Sequence, residues 1–338
     1  MVNVRELCTV LVVGRDKFSP TEKCLEYLIK NTPENPEILV ILGGVPQWLQ
    51  KQHLEKFGSR VKFNFYPDFL SQPEERNIGL KLVKTKLAAI IDNDVFVRPN
   101  WLTPLVQCQV DTQAPVVAPI ILEEEKIIHT AINALYQTYK GGKAYCHKEL
   151  GFHSTVFEES CDLKRTESGF AELHCMLVDV QTALKISLFD NNMKEATESD
   201  SALTVYKNGY KIMFEPKSVV HFQLYHPVRA YDIEYFCWRW DMKRILEGYK
   251  IFEKKWGFDM TEHARFSQFL VDYNSKVGLW GRLFKSGFGL FIDKAIAKFG
   301  PIPGELFRKH IIGRWRLFLA NRLGYGEWVE YHKQNGIF

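Results

Sequence analysis

The sequence feature that most constrains the fold is residues 87–95, in which five apolar residues lead directly into Asp92 and Asp94. A continuous apolar run of this length is typical of a strand buried on both faces of a sheet. Because an unpaired carboxylate is costly inside a core, we expect both aspartates where the strand leaves the sheet. Ligands of open α/β sheets bind at this carboxyl edge.

Two carboxylates one residue apart point the same way if the backbone between them stays extended. Such a pair predicts a site for Mg²⁺ or Mn²⁺, because both ions prefer oxygen ligands. The alternative is an ordinary turn, since Asp-Asn-Asp is common turn chemistry.

The chain on either side of this strand alternates between predicted strands and helices. Strands at residues 9–14, 37–42 and 61–66 precede it, each followed by a helical segment. This order predicts right-handed βαβ units and a largely parallel sheet. Residues from about 138 to 169 show no clear period and are predicted to form a long loop. Further elements are predicted as strands at 115–122, 173–180, 210–214 and 218–222, a helix at 199–208 and a long helix at 235–256.

Length and composition favour a globular protein of one large domain with an appendage. The 338 residues include seven cysteines without a C-x-x-C pair, which favours reduced thiols and a cytosolic protein. The polar amino terminus does not resemble a signal peptide, and no apolar run is long enough to span a bilayer. We expect a domain over residues 1–222 and a helical extension over residues 223–338.

The net charge of +4 is concentrated near the carboxyl terminus. Residues 275–338 contain 11 Lys and Arg but only four acidic residues, a net charge of +7 that leaves −3 for residues 1–274. Six of the eight tryptophans lie beyond residue 230. Basic, aromatic-rich helices are typical of a membrane interface, and the alternative is an ordinary helical subdomain with solvated cations. No nucleic-acid-binding module is recognisable.

Several short motifs follow one another over roughly residues 7–225. They are a strand running into Arg15-Asp16 before a helix, Glu75-Arg76-Asn77-Ile78-Gly79, Asp92-Asn93-Asp94, Phe189-Asp190, Glu198-Ser199-Asp200 before Asn208-Gly209-Tyr210, and Val219-Val220-His221. Their order resembles the family 2 glycosyltransferases, which have the GT-A fold. The resemblance implies an α/β, Rossmann-like mixed sheet and a hexosyltransferase-like enzyme that takes its sugar from a nucleoside-diphosphate sugar.

The resemblance also implies roles for the acidic residues. Asp94 would ligate Mn²⁺ or Mg²⁺ directly, Asp92 would reach the metal through water or the sugar hydroxyls, and His221 would be an additional ligand. Transfer with inversion needs a base that takes the acceptor proton. Glu198 falls on that position, which is usually Asp in the family, and Asp200 is the alternative. Both also fit an acidic cluster that only complements a helix dipole.

The donor site is expected around Arg76 and Asn77, which match the element that lies beside the nucleotide diphosphate in the family. Many relatives carry an Asp after the second strand that recognises uracil. This sequence has none there, so Asp16 or Asp68 is expected to take its place, and the base of the nucleotide stays open.

Two other functions stay open. One is a retaining or nucleotidylyl transferase on the same sheet, and the other is a non-catalytic GT-A-like binding module. The acceptor is expected to be a glycan or a lipid-linked molecule. The enzyme is expected in the cytoplasm, with possible binding to an anionic membrane surface.

The remaining histidines and cysteines do not form a recognisable metal motif. The spacing of His147, His153 and His174 among the nearby cysteines matches no structural zinc pattern. We therefore expect these residues in the core or in loops, with His174 facing an acceptor pocket.

Overall fold

The computed structural model describes residues 2–123, 126–158, 162–222, 229–264 and 267. The chain divides into two compact units. The first comprises residues 1–239 and 243–260 and contains the whole sheet. The second comprises residues 240–242 and 261–338, of which residues 261–264 are helical.

The first unit is built from strands that alternate with helices along the chain. The strands are β1 (Cys8–Val13), β2 (Ile38–Gly43), β3 (Val61–Tyr66), β4 (Leu87–Asp92), β5 (Val95–Val97), β6 (Val116–Glu123), β7 (Ile127–Thr130), β8 (Ala134–Lys140), β9 (Lys143–Glu149), β10 (Thr166–Ser168), β11 (Cys175–Asp179) and β12 (Ile212–Phe222). The helices are α1 (Val4–Leu7), α2 (Thr21–Asn31), α3 (Gln47–Phe57), α4 (Gln72–Leu82), α5 (Leu102–Thr112), α6 (Val180–Lys185), α7 (Thr197–Lys207), α8 (Ile233–Arg239) and α9 (Met242–Trp256), the last of which begins in the second unit.

The main sheet has the strand order β10-β12-β6-β11-β4-β1-β2-β3, with β5 paired to β12 and β7 to β6. Six of the eight strands on this path point the same way, and β10 and β11 run against them. Every residue of β1, β2 and β4 is buried, as the continuous apolar runs predict. The predicted mixed, mainly parallel α/β sheet is therefore confirmed.

The parallel strands bring their carboxyl ends to one edge of the sheet. Val13 of β1 pairs with Asp92 of β4, and Val13 also accepts the backbone N–H of Asn93. Gly43 ends the neighbouring strand β2. The two aspartates therefore emerge beside the loop that begins at Gly14, as the sequence predicts.

Two regions in which the sequence predicts irregular backbone contain strands instead. Strands β8 and β9 form an antiparallel hairpin inside the segment predicted as a long loop. Strand β12 continues through Pro216, which was expected to separate two short strands. Its pairing with β6 shifts register between Phe214 and Val219, so the proline lies at an irregularity where a missing N–H is tolerated.

The first part of the predicted extension packs against the sheet domain. Tyr235 of α8 stacks on Phe18 with ring centroids 4.7 Å apart, and Asp232 accepts the backbone N–H groups of Phe18 and Ser19. The single helix predicted over residues 235–256 consists of two helices, α8 and α9.

The predicted boundary at Phe222 stays a prediction, and the basic residues 275–338 of the predicted helical extension lie outside the described residues. Within the described ranges, no helix is long and apolar enough to cross a membrane.

Candidate active site

Asp92 is the carboxylate that ends strand β4, and it is buried despite its charge. Its Oδ1 accepts a hydrogen bond of 2.8 Å from Nη2 of Arg76, and Gln72 Nε2 lies 3.3 Å from each carboxylate oxygen. Burial raises the pKa of Asp92 to about 6, although the charges of Arg76 and Arg15 act in the opposite direction. Asp92 is thus a carboxylate that needs its cationic neighbours to stay ionised at neutral pH.

Asp94 is buried two residues further on, where the chain turns into β5. Its Oδ2 accepts a 2.9 Å hydrogen bond from Nη1 of Arg15, which is partly exposed. Its Oδ1 is buried and has no hydrogen-bond partner in the described part of the chain. Burial raises the pKa of Asp94, and Arg15 opposes that effect. A bound cation or an ordered water would satisfy a buried carboxylate oxygen of this kind.

His174 completes a group of three with these aspartates. Its carbonyl accepts the backbone N–H of Asp92, and its Nδ1 lies 3.3 Å from Asp92 Oδ2. The ring stacks on Phe222 with centroids 4.4 Å apart. Burial, followed by the charge of Arg15, holds the pKa of His174 well below its usual range. The imidazole is therefore neutral, which is the form that binds metals. Ligand atoms of Asp92, Asp94 and His174 lie within 4.8 Å of one another.

His221 was the predicted third ligand, and the structure places it elsewhere. Its ring packs against Tyr27 and Phe96, with centroids 5.9 and 5.5 Å away. Neighbouring residues of a strand point to opposite faces, and Phe222 already faces His174. Among the described residues, the group that contains Asp92 and Asp94 includes His174 and not His221. His174 is therefore the histidine that the described structure groups with the two aspartates, and a metal role of His221 stays a prediction.

Arg76 and Asn77 lie on α4 but have different surroundings. Arg76 has no exposed surface and donates to Asp92 and to the carbonyl of Leu173. Its Nε and Nη1 lack hydrogen-bond partners in the described ranges. The amide of Asn77 donates to the Phe189 carbonyl and to Asn191. We interpret Arg76 as a residue that positions Asp92, and Asn77 as one that holds the turn at Phe189, rather than as direct contacts to a nucleotide.

Asp16 lies in the loop after β1, where its charge contributes to the raised pKa values of both Asp92 and Asp94. It is therefore electrostatically part of the same edge. Lys17 Nζ is 3.9 Å from its carboxylate.

Glu75 was not predicted to have a role of its own. Its buried carboxylate accepts the N–H groups of Gly14 and Gly43, which links α4 to the ends of β1 and β2, and burial raises its pKa. Its place beside Arg76 in the predicted Glu-Arg-Asn element was the only sequence signal for it.

Part of the sequence is similar to a known protein family. Residues 9–153 match the sequence model of glycosyl transferase family 2. Residues 9–153 are therefore similar to the family that the sequence motifs resemble. The match includes Asp92 and Asp94 and ends before His174 and Glu198. No curated protein sequence matches the chain.

Solved structures that are similar to this chain include the following two. A crystal structure of GalNAc-T7 with UDP, GalNAc and Mn²⁺ matches 78% of this chain and 54% of that chain, with 14% identity and a TM-score of 0.51. A crystal structure of S. aureus TarS with UDP-GlcNAc matches 75% of this chain and 74% of that chain, with 10% identity and a TM-score of 0.48. This chain thus spans about half the length of the GalNAc-T7 chain. The first likeness confirms the expected GT-A fold.

The residues at the end of β4 fit a divalent cation. Asp94 Oδ1 is buried without a donor, and the two carboxylates and the neutral imidazole lie close enough to share one ion. Two hard oxygen ligands with one nitrogen ligand suit Mn²⁺ and are compatible with Mg²⁺.

The two candidate bases are separated by their surroundings. Glu198, in the first turn of α7, is 3.4 Å from Lys148 of β9. Burial opposes its ionisation, but the charge of Lys148, a hydrogen bond from the backbone of Glu198 and the charge of Arg76 together lower the pKa of Glu198 to about 2. Asp200 is buried, and its Oδ1 is 2.8 Å from both Lys255 Nζ and Trp256 Nε1 of α9.

Glu198 acts electrostatically on Asp92, and Asp200 is held by α9. The geometry therefore favours Glu198 over Asp200 as a group that faces substrate. A second carboxylate that sequence reasoning missed, Glu172, lies near Glu198, and burial followed by the charge of Glu198 raises its pKa.

Proposed function

We propose that this chain is a metal-dependent, inverting glycosyltransferase that moves a sugar from a nucleoside-diphosphate sugar to an acceptor hydroxyl. The observation that supports it most directly is the group formed by Asp92, Asp94 and His174 at the carboxyl edge of the sheet, in a chain whose residues 9–153 match the sequence model of family 2. The carboxylate of Glu198 lies in the same electrostatic environment, because its charge contributes to the raised pKa of Asp92.

The donor side of the reaction involves Asp94, Asp92 and His174 as holders of Mn²⁺ or Mg²⁺. When bound there, the ion takes up negative charge that develops on the leaving diphosphate. Arg15 is the cation best placed to contact the diphosphate itself, because it is partly exposed and already pairs with Asp94. Arg76 donates a hydrogen bond to Asp92, and its charge favours the ionised form of that carboxylate. It therefore keeps Asp92 ionised and oriented.

The acceptor side involves Glu198. Its carboxylate takes the proton of the acceptor hydroxyl as the oxygen forms a bond to the anomeric carbon, and the bond from that carbon to the diphosphate breaks. A single displacement of this kind inverts the anomeric configuration. Lys148 holds Glu198 ionised before substrate binds.

The choice of donor is guided by the relatives. The GalNAc-T7 structure contains UDP, GalNAc and Mn²⁺, which makes UDP-sugars with Mn²⁺ the first candidates. The strand that ends at Gly43 is not followed by an acidic residue, so Asp16 or Asp68 is our candidate for recognising the nucleotide base.

The acceptor and the location are also proposals. The six described cysteines are free thiols, in agreement with a cytoplasmic protein. The basic residues 275–338 suit binding to an anionic membrane surface, where a lipid-linked acceptor would be found.

The proposal is tested by incubating the full chain with a panel of UDP- and GDP-sugars and measuring release of nucleoside diphosphate. We expect release from at least one donor with Mn²⁺, loss of release with a chelator, and recovery when Mn²⁺ is added back. Donor binding without turnover, with or without added glycan acceptors, would instead support the non-catalytic binding module.

A further inference from the structure

Beyond the candidate active site, the described residues contain a second group that can hold a metal ion. Three sets of possible ligands form a row, in which neighbouring sets share a residue: Asp92, Asp94 and His174; then His129, Glu172 and His174; then Glu123, His129 and His153. The middle set shares one histidine with each of the others. The two outer sets have no residue in common, so both could be filled at once.

The outer set away from the aspartates is assembled from three elements. Glu123 ends β6, His129 lies on β7, and His153 follows β9 in a turn. His129 Nδ1 is 2.8 Å from Glu123 Oε1, and the rings of His129 and His153 meet edge to face with centroids 5.6 Å apart. All three side chains are partly exposed, so an ion can reach them from solvent.

The tautomer of His153 supports a ligand role. Its Nδ1 lies 2.9 Å from the carbonyl oxygen of His129, which can only accept, so Nδ1 carries the proton. The lone pair of the neutral ring is therefore on Nε2. Metal-binding histidines usually donate their other N–H to a backbone carbonyl or a carboxylate in this way.

We propose that Glu123, His129 and His153 form a Zn²⁺ site separate from the site of Asp92 and Asp94. Two imidazoles and one carboxylate are a ligand set typical of zinc, with a fourth position left for water or a substrate atom. The other outer set has two carboxylates and one imidazole, which suits harder ions. The two sites therefore differ in the metal that they prefer.

The bound ion would join the β6–β7 hairpin to the turn after β9. That region adjoins the candidate active site, because the His129 ring lies 5.6 Å from the His174 ring and 5.0 Å from the Phe222 ring. Zinc binding is thus expected to stabilise the β6–β7 hairpin and the turn after β9 against thermal unfolding.

The test measures binding of Zn²⁺ and Co²⁺ to metal-free full-length protein, so it does not depend on glycosyl transfer. We compare wild type with Asp94→Asn, Glu123→Gln and His153→Ala, and use His147→Ala as the matched control on the neighbouring hairpin. Titration calorimetry gives stoichiometry, Co²⁺ absorption reports the ligand geometry, and thermal unfolding reports stabilisation.

We expect wild type, Asp94→Asn and His147→Ala to bind one Zn²⁺ that raises the unfolding temperature, and Glu123→Gln and His153→Ala to lose at least tenfold in affinity. Equal zinc binding by wild type and by both site variants would overturn the proposal. So would zinc binding that is lost in Asp94→Asn and kept in His153→Ala, because the ion would then belong to the aspartates. Because His153 lies in a turn, His153→Asn serves as the second variant if His153→Ala does not fold.

Discussion

Glu198 and Asp200 lie two residues apart on one helix, but their side chains have different partners. Among the ion pairs of the described residues, Glu198 takes part only in the pair with Lys148. Its charge contributes to the raised pKa of Asp92. Asp200 is buried, and its Oδ1 contacts Lys255 Nζ and Trp256 Nε1. We therefore interpret Glu198 as the catalytic base and Asp200 as the residue that fastens α9 to α7.

Amide substitutions distinguish these two roles. Glu198→Gln is expected to lower turnover by roughly 10²–10⁴-fold with little change in donor affinity or unfolding temperature, because it removes only the proton acceptor. Asp200→Asn is expected to retain most turnover and to lower the free energy of unfolding by about 1–3 kcal/mol, because it breaks a buried charged contact. Steady-state kinetics and thermal unfolding of both variants provide the measurement.

Each variant is the matched control for the other, since both replace a carboxylate by its amide in the same helix. The assignment is wrong if Asp200→Asn shows the large loss of turnover while Glu198→Gln behaves like wild type.

The β8–β9 hairpin is the element that carries Lys148 to Glu198. The hairpin also contacts the chain after α9, where Lys143 pairs with Asp259 and Ala144 bridges to Phe258. Lys148 keeps the pKa of Glu198 far below its ordinary value. The hairpin thus supplies the cation that most strongly favours the ionised form of Glu198.

Lys148→Met is expected to raise the pKa of Glu198, because burial then acts without its main opponent. The active form of the base is the carboxylate, so the acid limb of the rate profile should move to higher pH. Measuring kcat/KM from pH 4 to 8 checks this expectation. Lys140→Met, an exposed lysine of the same hairpin, is the control. An acid limb that Lys148→Met leaves unchanged would contradict the assignment of Glu198.

Sequence analysis predicted best the strands that are buried on one or both faces. Strands β1, β2 and β4 are wholly buried, so their apolar runs marked them clearly. Strands β8 and β9 are mostly exposed and have no apolar alternation, so the sequence gives no signal for a hairpin there. Pro216 predicted an interruption, whereas register shifts accommodate it within β12.

The candidate site was predicted only where its residues are close in sequence. Asp92 and Asp94 could be placed from the strand that precedes them. His174 joins them through antiparallel pairing of β11 with β4, and no local spacing reports that contact. His221 was predicted as a metal ligand from the family resemblance. Side chains alternate between the two faces of a strand, so its ring lies on the other face of the sheet, against Phe96. Glu123, His129 and His153 likewise meet only in the folded chain.

At the scale of the whole molecule, charge and aromatic content are unevenly distributed. Residues 275–338 carry a net charge of +7, whereas residues 1–274 carry −3. Each Lys or Arg near an anionic bilayer contributes about 1 kcal/mol, and tryptophan favours the headgroup region. This pattern motivates the proposal that the chain binds membranes reversibly.

The full chain is therefore expected to sediment with vesicles containing anionic lipid at low salt and to be released as ionic strength rises, because salt screens these attractions. Neutral vesicles of the same size are the control. Equal sedimentation with both kinds of vesicle would remove the electrostatic part of the proposal, and no sedimentation at any salt would favour an ordinary helical subdomain.

The central proposal is that Asp94 and its neighbours at the end of β4 would hold a metal ion that assists binding of the donor. Its most direct test is calorimetric titration of UDP and GDP into wild type and Asp94→Asn, with Mn²⁺ or with a chelator. Asp111→Asn, an exposed aspartate on α5, is the control. We predict Mn²⁺-dependent binding of at least one nucleotide by wild type and Asp111→Asn, and its loss in a folded Asp94→Asn protein. Equal nucleotide binding by wild type in Mn²⁺ and in chelator, or unchanged Mn²⁺-dependent binding by Asp94→Asn, would contradict the proposal.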